Sequence, residues 1–454
     1  MVIERLEACI QERTDQYLQK LFTLLRQPSI SPRNEGVREC AELLQTLMEE
    51  SGISTSLIET PGAPVVYGEV MRDPEAFTLL IYGHYDVQPP EPLEEWVSPP
   101  FEPTIRDGRI YCRGVGDNKG QMMAQVLAIK TYLDVVGELP INVKFVFDGE
   151  EESGSEHLDS FVAQHATKLA CDLVYTSDGP MHASGRPSVE LGVRGILGIE
   201  MTATGAKWDH HSGNMGNVVP NPAWKLIDLL RTMRDETGKV LIEGFYDHIR
   251  EPSVLDRELL QIMPFDSEQV QTQLGLSDLQ MDGETYYRKL AMEPTFNICG
   301  FHSGYGGEGL KTIIPAVASV KLDIRLVADQ DPEDIFERFS QHVKQHAPDV
   351  EVIMQGAMKP SRTSADNEMV KVVVRAVRDA YAQEPIIVPG VGGSLPDYVW
   401  TDTLGVPSII VPYANHDEAN HAPNENMVTE LFFNGILCTC HVVHRLGEFA
   451  AIKA

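Results

Sequence analysis

The chain has 454 residues, which is more than one ordinary hydrophobic core organises, so we expect two or three domains. Its 67 acidic residues outnumber its 37 basic residues, and the formal net charge of -30 argues against binding to nucleic acid or to an anionic membrane. The seven cysteines show no paired CxxC spacing, and we find no signal-peptide pattern and no run of roughly 20 apolar residues, so a cytoplasmic location without a membrane span is expected.

The first part of the chain alternates between helical and strand-like apolar patterns. In chain order the patterns predict helix 4–26, helix 37–50, strand 77–82, helix 121–133, strand 141–147, helix 155–164 and strand 171–176. This alternation is typical of an α/β domain with a mostly parallel sheet and helices on both faces. In such sheets the ligand lies beyond the carboxyl ends of the strands.

The pattern changes near residue 192. The elements predicted next are strand 193–204, helix 223–233, an acidic and irregular insert over 236–294, strand 316–327 and a helix that starts at Asp331-Pro332. These predict a smaller α+β domain. The last part resumes the style of the first, with helix 368–382, strands 386–388 and 406–411, and a closing helix 427–446. We therefore predict a catalytic domain of residues 1–191 and 359–454, interrupted by an inserted domain of residues 192–358.

A glycine-rich stretch, residues 113–120, presents the carboxylate of Asp117 directly before a predicted helix. An ordinary glycine-rich turn has the same composition. A phosphate-binding loop is excluded because no Lys-Ser or Lys-Thr follows the glycines. Other polar residues at strand ends and in the later loops favour a functional role for Asp117 over an ordinary turn. These are His84, Asp86, Glu151, Glu152, Asp178 and His421.

Mixed histidine and carboxylate ligands without thiolates suit zinc, manganese or cobalt. Each histidine taken alone could be a structural residue, but seven such groups exceed what one tetrahedral ion requires. Two ions that share a bridging carboxylate would use five residues and leave two for other roles.

Five blocks of this sequence resemble the signature blocks of the dinuclear zinc aminoacylase/carnosinase family of metallopeptidases, and most closely its branch of carnosinase and cytosolic non-specific dipeptidase. The blocks are residues 84–86, 116–120, 151–155, 177–179 and 421–425, in order along the whole chain. The resemblance implies that Asp117 bridges two ions, that His84 and Asp178 complete one site, and that Glu152 and His421 complete the other. It implies that Asp86 orients His84 and that Glu151 is the general base, with Glu150 as an exposed neighbour.

The resemblance extends to the middle segment, which corresponds to a lid and dimerisation domain. It implies that His211, in Asp209–Gly213, reaches the active site of the partner subunit and stabilises the oxyanion. It also implies that Thr312 and Arg325 of the lid, with Gly393 and Ser394 of the catalytic domain, hold the substrate carboxylate. The alternative for Arg325 is a strand residue paired with a surface acid.

The resemblance, together with these residues, implies a homodimeric hydrolase that cleaves the peptide bond of dipeptides or similar small peptides with two divalent ions, zinc or alternatively manganese or cobalt. An N-acyl-amino-acid deacylase or desuccinylase would use the same metal blocks. A non-catalytic peptide-binding relative would require the loss of a ligand or of Glu151, and neither is lost. The insert 236–294 could form an oligomer contact or extend the lid.

Overall fold

The structure of the chain is a computed structural model that describes residues 2–453. The segment up to residue 191 starts with three helices, after which strands and helices alternate. Its elements are α1 (Val2–Glu12), α2 (Thr14–Leu25), α3 (Val37–Glu49), β1 (Ser54–Ile58), β2 (Val65–Val70), β3 (Thr78–His84), β4 (Thr104–Arg106), β5 (Arg109–Tyr111), α4 (Lys119–Val136), β6 (Asn142–Asp148), α5 (Leu158–Gln164), α6 (Ala166–Leu169), β7 (Leu173–Thr176) and β8 (Ser188–Glu190).

The remainder of the chain forms the inserted unit and then returns to the first. The inserted unit contains β9 (Gly192–Val193), β10 (Gly195–Thr204), β11 (His210–His211), α7 (Ser212–Met215), α8 (Pro222–Met233), α9 (Val254–Ile262), α10 (Ser267–Leu274), α11 (Gly283–Ala291), β12 (Asn297–Ser303), β13 (Ile313–Ile314), β14 (Val317–Leu326), α12 (Pro332–His346) and β15 (Glu351–Met358). The last elements are β16 (Ser361–Arg362), α13 (Glu368–Tyr381), β17 (Ile386–Val388), β18 (Ser408–Ile410), β19 (Asn426–Val428) and α14 (Thr429–Lys453).

Within residues 2–453, eight strands form the central sheet in the order β1-β2-β6-β3-β7-β18-β8-β17. Its middle strands β6, β3, β7 and β18 are parallel, as predicted, and so are β8 and β17. The β1–β2, β2–β6 and β8–β18 pairs are antiparallel, so the sheet is mixed. The edge strand β1 and its neighbour β2 had no counterpart in the sequence prediction.

The apolar run of strand β3 is continuous because both faces of the strand are buried. Successive side chains of a strand point to opposite faces of the sheet. Leu79 and Ile81 lie in a core cluster with α1 to α4, α13 and α14, whereas Leu80 and Tyr82 lie in a second cluster with α5 and Trp400. Helices therefore cover both faces of the sheet, and this α/β architecture with an inserted unit confirms the predicted fold class.

The inserted unit has its own antiparallel sheet, in the order β12-β14-β10-β15, and its own core. Strand β10 alternates between buried and half-exposed residues, because one face packs on α8 and α12. The two crossings between the units lie side by side, since β9 pairs with β16. We propose domain boundaries at 191/192 and 358/359, which this pairing supports.

The first helix prediction was wrong, because residues 4–26 form two helices that meet at Arg13. The Thr14 hydroxyl donates a hydrogen bond to the carbonyl oxygen of Gln11 at 2.7 Å, which in a continuous helix accepts from the backbone of Asp15. Threonine side chains compete with helical backbone bonds in this way. In addition, Arg13 forms an ion pair with Asp134 of α4.

The insert 236–294 was predicted to be irregular, but it contains α9, α10 and α11. Each of these helices starts at a polar residue that accepts hydrogen bonds from the first turn, namely Ser253, Asp266 and Asp282. Serine and aspartate are favoured at this position because their oxygens satisfy backbone N–H groups that have no helical partner. Part of the acidity of the insert is therefore helix capping.

Several predicted boundaries also shift, among them the starts of two helices. The helix expected from residue 155 begins at Leu158, and the closing helix begins at Thr429 because Met427 pairs with Ile110 in β5. None of the helices described over residues 2–453 combines the length and the apolar character required to cross a membrane.

Candidate metal centre

The predicted ligands come together at the carboxyl edge of the central sheet. His84 ends β3, Asp178 follows β7, and Glu152 lies in the turn after β6. Because these three strands are parallel neighbours, their carboxyl ends meet at one edge. Asp117 approaches the same edge from the turn before α4, and His421 from the loop before β19.

The first group of ligand atoms surrounds the ring of His84. Its Nε2 lies 3.0 Å from Oδ1 of Asp117 and 3.6 Å from Oδ2 of Asp178. All three residues are buried. The second group surrounds His421, whose Nε2 lies 3.1 Å from Oδ2 of Asp117 and 3.1 Å from Oε2 of Glu152. Each group can offer three ligand atoms within 4.8 Å of one another, and Asp117 belongs to both.

Asp86 holds the first histidine and the turn that carries Glu151 and Glu152. The carbonyl oxygen of Asp86 lies 3.1 Å from Nδ1 of His84, so Nδ1 donates and Nε2 faces the carboxylates. The carboxylate of Asp86 accepts the backbone N–H groups of Glu151 and Glu152 at 3.2 and 3.0 Å and the hydroxyl of Ser31 at 2.5 Å. It thus joins β3 to the turn after β6.

The electrostatics of the centre reflect an excess of carboxylates. Burial raises the pKa of Asp178 to about 7, and the charge of His84 opposes this shift while that of Asp117 adds to it. Burial also raises the pKa of Glu151 well above its usual value. Hydrogen bonds to Asp117 and Glu152 raise the pKa of His421 to about 10. These shifts arise because buried carboxylates outnumber the positively charged groups around them.

Two unpartnered atoms test whether the residues fit a metal ion. Nε2 of His84 and Oδ2 of Asp178 are both buried and have no hydrogen-bond partner among the described residues. Because the ring proton is on Nδ1, Nε2 cannot donate to the carboxylate of Asp117, which lies 3.0 Å away. Buried polar atoms normally have a partner, because leaving them unsatisfied costs about 1–3 kcal/mol. A divalent cation between them would satisfy both atoms. The nitrogen and oxygen donors, without sulfur, suit zinc, manganese or cobalt.

Glu425 is a residue whose role the sequence reasoning missed. It is fully buried, and its carboxylate accepts the backbone N–H groups of Gly114, Gly116 and Asp117 at 2.9, 2.9 and 3.1 Å. It also accepts from Nη1 of Arg113 at 2.7 Å. Glu425 therefore fixes the turn that presents Asp117. Its position at the end of the fifth signature block was the available signal.

Glu418 is a second missed residue, and no motif marked it. It is 1% exposed, and neither of its carboxylate oxygens has a hydrogen-bond partner among the described residues. Its Oε2 lies 2.2 Å from the place where a Cβ on Gly116 would stand, so a larger residue at position 116 would displace this carboxyl. Burial raises the pKa of Glu418 to about 10, and the nearby carboxylate of Asp117 adds to this shift.

The predicted carboxylate-binding residues fall into two places. Nη1 of Arg325 in β14 donates to the hydroxyl of Ser394 at 2.7 Å, across the boundary between the two units, and Gly393 is adjacent. Arg325 also contacts Asp323 at 3.3 Å, so the alternative pairing with an acid is present as well. Thr312 lies elsewhere in the inserted unit.

Thr312 is the neighbour of His211. The carbonyl oxygen of Thr312 accepts the backbone N–H of Ser212, and β11 pairs with β13. His211 is exposed, and its Nδ1 accepts the backbone N–H of Gly213 at 3.0 Å. Among the contacts of residues 2–453, those of the His211 side chain stay within its own turn.

A model of peptidase family M20/M25/M40 matches residues 80–445. The chain is 27% identical over 472 residues to the Cys-Gly metallodipeptidase dug1 of Schizosaccharomyces pombe, with 99% of each chain covered. It is 26% identical over 419 residues to the Beta-Ala-His dipeptidase of Rattus norvegicus, with 90% of this chain and 84% of that protein covered. Its fold matches that of an M20 family metallo-carboxypeptidase, Sso-CP2 of Sulfolobus solfataricus, with a TM-score of 0.89 at 37% identity over 95% of this chain and 99% of that one. The predicted resemblance is confirmed, and the chain belongs to peptidase family M20/M25/M40.

Proposed function

We propose that the chain hydrolyses the peptide bond of dipeptides with two divalent metal ions per chain. The observation that carries this proposal is the double role of Asp117, whose two carboxylate oxygens each face a separate histidine. The ligands of one ion would be His84, Asp117 and Asp178, and those of the other Asp117, Glu152 and His421. Zinc is the proposed metal, with manganese and cobalt as the alternatives.

Bound divalent ions would lower the pKa of a water molecule and polarise the carbonyl of the scissile bond. Glu151 is the proposed general base, which takes the proton of that water and passes it to the leaving amine. This role is supported by its position beside Glu152 without an ion-pair partner of its own among the described residues. Asp86 contacts both His84 and the backbone of Glu151, and it thereby fixes the position of the proposed base relative to the proposed ligands.

The substrate would be held by its C-terminal carboxylate. Arg325 and the hydroxyl of Ser394 are proposed to bind that carboxylate, with Gly393 beside them and Thr312 supplied by the lid. The 2.7 Å contact between Arg325 and Ser394 supports this assignment, because a carboxylate can accept from both donors at once. The dipeptidase names of the two relatives support dipeptides as the substrate class.

A second candidate is the release of the C-terminal residue from longer peptides. The similarity to the metallo-carboxypeptidase Sso-CP2, at 37% identity, favours it. The same site would also accept N-acyl amino acids, because all three substrate classes have an amide bond next to a C-terminal residue with a free carboxylate. The classes differ only in what precedes that bond.

His211 is proposed to act in a homodimer, in which it stabilises the oxyanion in the site of the partner subunit. Two observations support a lid-mediated dimer. His211 is exposed with no catalytic residue among its described contacts, and apolar side chains are exposed on the same unit. These are Trp208, Val218, Trp224, Ile298, Phe301 and Val317.

A cytoplasmic location is proposed from the absence of paired cysteine spacing.

The proposal is tested with a panel of dipeptides, tripeptides and N-acyl amino acids, assayed for loss of substrate and identity of the released products with zinc or manganese present. We expect hydrolysis of dipeptides, and weak or no hydrolysis of the same dipeptides with a C-terminal amide, because the amide removes the charge that Arg325 would bind. Equal rates on free and amidated dipeptides would contradict the assignment of Arg325. Turnover confined to tripeptides or N-acyl amino acids would replace the dipeptidase assignment by the corresponding alternative.

A further inference from the structure

The acidic insert packs against the catalytic domain. Helices α9 and α11 contribute to a buried apolar cluster that includes strand β17 of the central sheet. Its members are Leu260, Met263, Ala291, Met292, Ile386 and Val388. Asp256 of α9 also forms an ion pair with Arg362 of β16 at 2.7 Å, and both side chains are largely buried. The insert is therefore fixed to the catalytic domain at the side where the chain crosses between the units.

Tyr287 of α11 contacts the Asp178 loop, which we define as residues 177–185. Its hydroxyl donates to the carbonyl oxygen of Pro264 at 2.6 Å, so it must accept from Nε2 of His182, 3.0 Å away. His182 in turn accepts the backbone N–H of Ser184 on Nδ1 at 3.1 Å. A directional chain of hydrogen bonds thus runs from the loop that carries the proposed ligand Asp178 to the insert.

Leu290 of the same helix contacts the Gly392 loop, which we define as residues 389–395. A Cβ on Gly392 would lie 2.9 Å from Cδ1 of Leu290, and a Cβ on Gly390 would lie 3.4 Å from Cε of Met292. Arg194 adds to these contacts, because its Nε donates to the carbonyl oxygen of Gly392 at 3.0 Å and its Nη1 to that of Glu293 at 3.4 Å.

The Gly392 loop depends on such external contacts. It has glycine at positions 390, 392 and 393, and glycine restricts backbone conformation less than any other residue. The loop also carries Ser394, the proposed partner of the substrate carboxylate. The packing of neighbouring elements therefore decides where Ser394 stands.

We propose that helix α11 of the insert positions both loops of the catalytic centre, with Tyr287 as the positioning residue of the Asp178 loop and Leu290 as that of the Gly392 loop. The effect on substrate binding rests on the proposed function, whereas the effect on the loops does not. The insert then serves the active site and is more than a spacer or an oligomer contact.

The first test compares Tyr287→Phe with Tyr286→Phe by hydrogen–deuterium exchange of the metal-loaded full chain. Tyr287→Phe keeps the ring and its packing on Phe265 but removes the acceptor of His182. We expect amide exchange within residues 179–185 to accelerate about two- to tenfold, the worth of one hydrogen bond. Tyr286 packs on Phe265 without a hydrogen bond from its hydroxyl in the described chain, so its variant should match the wild type. Unchanged exchange in Tyr287→Phe would overturn the role of Tyr287.

The second test compares Leu290→Ala in α11, where the leucine is 41% exposed, with Leu274→Ala in α10, where it is 58% exposed. Loosening the Gly392 loop weakens carboxylate binding in the ground and transition states alike, so KM for a dipeptide should rise about two- to tenfold with kcat unchanged. Thermal unfolding and metal content should stay as in the wild type. An unchanged KM in Leu290→Ala, or an equal rise in both variants, would overturn the role of Leu290. A wild type that cleaves no dipeptide would refute the proposed function, while the exchange experiment would still decide whether α11 holds the loops.

Discussion

Glu150, Glu151 and Glu152 are consecutive carboxylates with different partners. The prediction of an exposed Glu150 was wrong, because its side chain is only 16% exposed. It lies 2.8 Å from Nδ1 of His157 and accepts the backbone N–H of Ala63 at 3.2 Å. Glu152 contacts His421 at 3.1 Å and accepts from Gln88 at 2.9 Å. The side chain of Glu151 has no such partner among the described residues. The surroundings of the three carboxylates therefore support the register in which Glu151 is the base and Glu152 the ligand.

The first prediction is that Glu151→Gln loses turnover by roughly 10²–10⁴ while its metal content equals that of the wild type. Glutamine keeps the shape of the side chain but cannot take the proton of the attacking water. Steady-state kinetics and metal analysis of the purified variant measure both quantities. Glu150→Gln is the matched control and should stay active. If Glu150→Gln were inactive and Glu151→Gln active, the register would be wrong by one residue.

Asp117 carries the second prediction, because both ligand groups depend on it. Asp117→Ala should lose bound metal as well as activity, since two neighbouring cations repel each other without a shared anion. Metal analysis after dialysis measures the loss. Asp417→Ala, in the same loop as His421 but paired with Arg109 on the surface, serves as the control and should retain its metal. Two tightly held ions in Asp117→Ala would refute the bridging role.

At the scale of elements, the site residues that follow the central strands could be predicted from the sequence. Strands β3, β6 and β7 are buried along their whole length, so their apolar runs were visible in the sequence. The polar residues directly after them had to gather at one edge once the strands were parallel. The assignment of Arg325 and Ser394 rested on the family resemblance alone, because local sequence patterns do not show which residues of two different units lie together.

The parts that sequence reasoning missed depend on tertiary contacts. Glu425 is defined by four donors, all from the turn of residues 113–117, more than 300 positions away. Glu418 is defined by burial that only the folded chain creates. The helices of the insert were missed for another reason, because their capping residues Ser253, Asp266 and Asp282 are also the residues typical of loops.

Helix α14 carries the third prediction, which concerns stability. His441 is 7% exposed, and burial lowers its pKa to about 4. In the unfolded chain its pKa is near 6.5, so between these values the unfolded state binds more protons and stability falls as pH falls from about 6.5 to about 4. The loss reaches about 3 kcal/mol at the lower end.

His441→Leu should lack this component of the acid sensitivity. The measurement is the free energy of unfolding of wild type and variant at several pH values between 7.5 and 4.5, because carboxylate titration is common to both and cancels in the difference. His248→Leu replaces an exposed histidine and should leave the pH dependence unchanged. A constant difference between wild type and His441→Leu across this range would contradict the prediction.

At the scale of the whole molecule, the net charge of -30 affects any dimer, because two such chains repel each other. Salt near 0.15 M reduces the range of this repulsion to about 8 Å. A dimer through the inserted units would then depend on the apolar side chains exposed there, such as Trp208 and Phe301. We therefore expect dimer formation to strengthen with salt, and experiments on subunit exchange belong at physiological ionic strength or above.

The last prediction concerns His211 and such a dimer. His211→Ala should lose about 10²–10³ in rate without a change in metal content, because the imidazole would be an oxyanion donor and not a ligand. Each His211→Ala chain would keep its own metal centre and lack only the imidazole that it would supply to the site of its partner. Mixing His211→Ala chains with Glu151→Gln chains should then restore activity, since the site with an intact Glu151 receives His211 from the other chain.

In the mixed dimer the second site lacks both groups and stays inactive. Random association places half of the dimers in the mixed state with one working site each, so activity should recover to about a quarter of the wild-type value. Mass-tagged chains verify that subunits exchange, and a mixture of Glu151→Gln with Asp117→Ala chains is the control. That control should stay inactive, because Glu151 and Asp117 belong to the same metal centre of each chain and no mixed dimer contains a site with both. No recovery in the His211 mixture after verified subunit exchange would mean that His211 acts within its own chain or not at all.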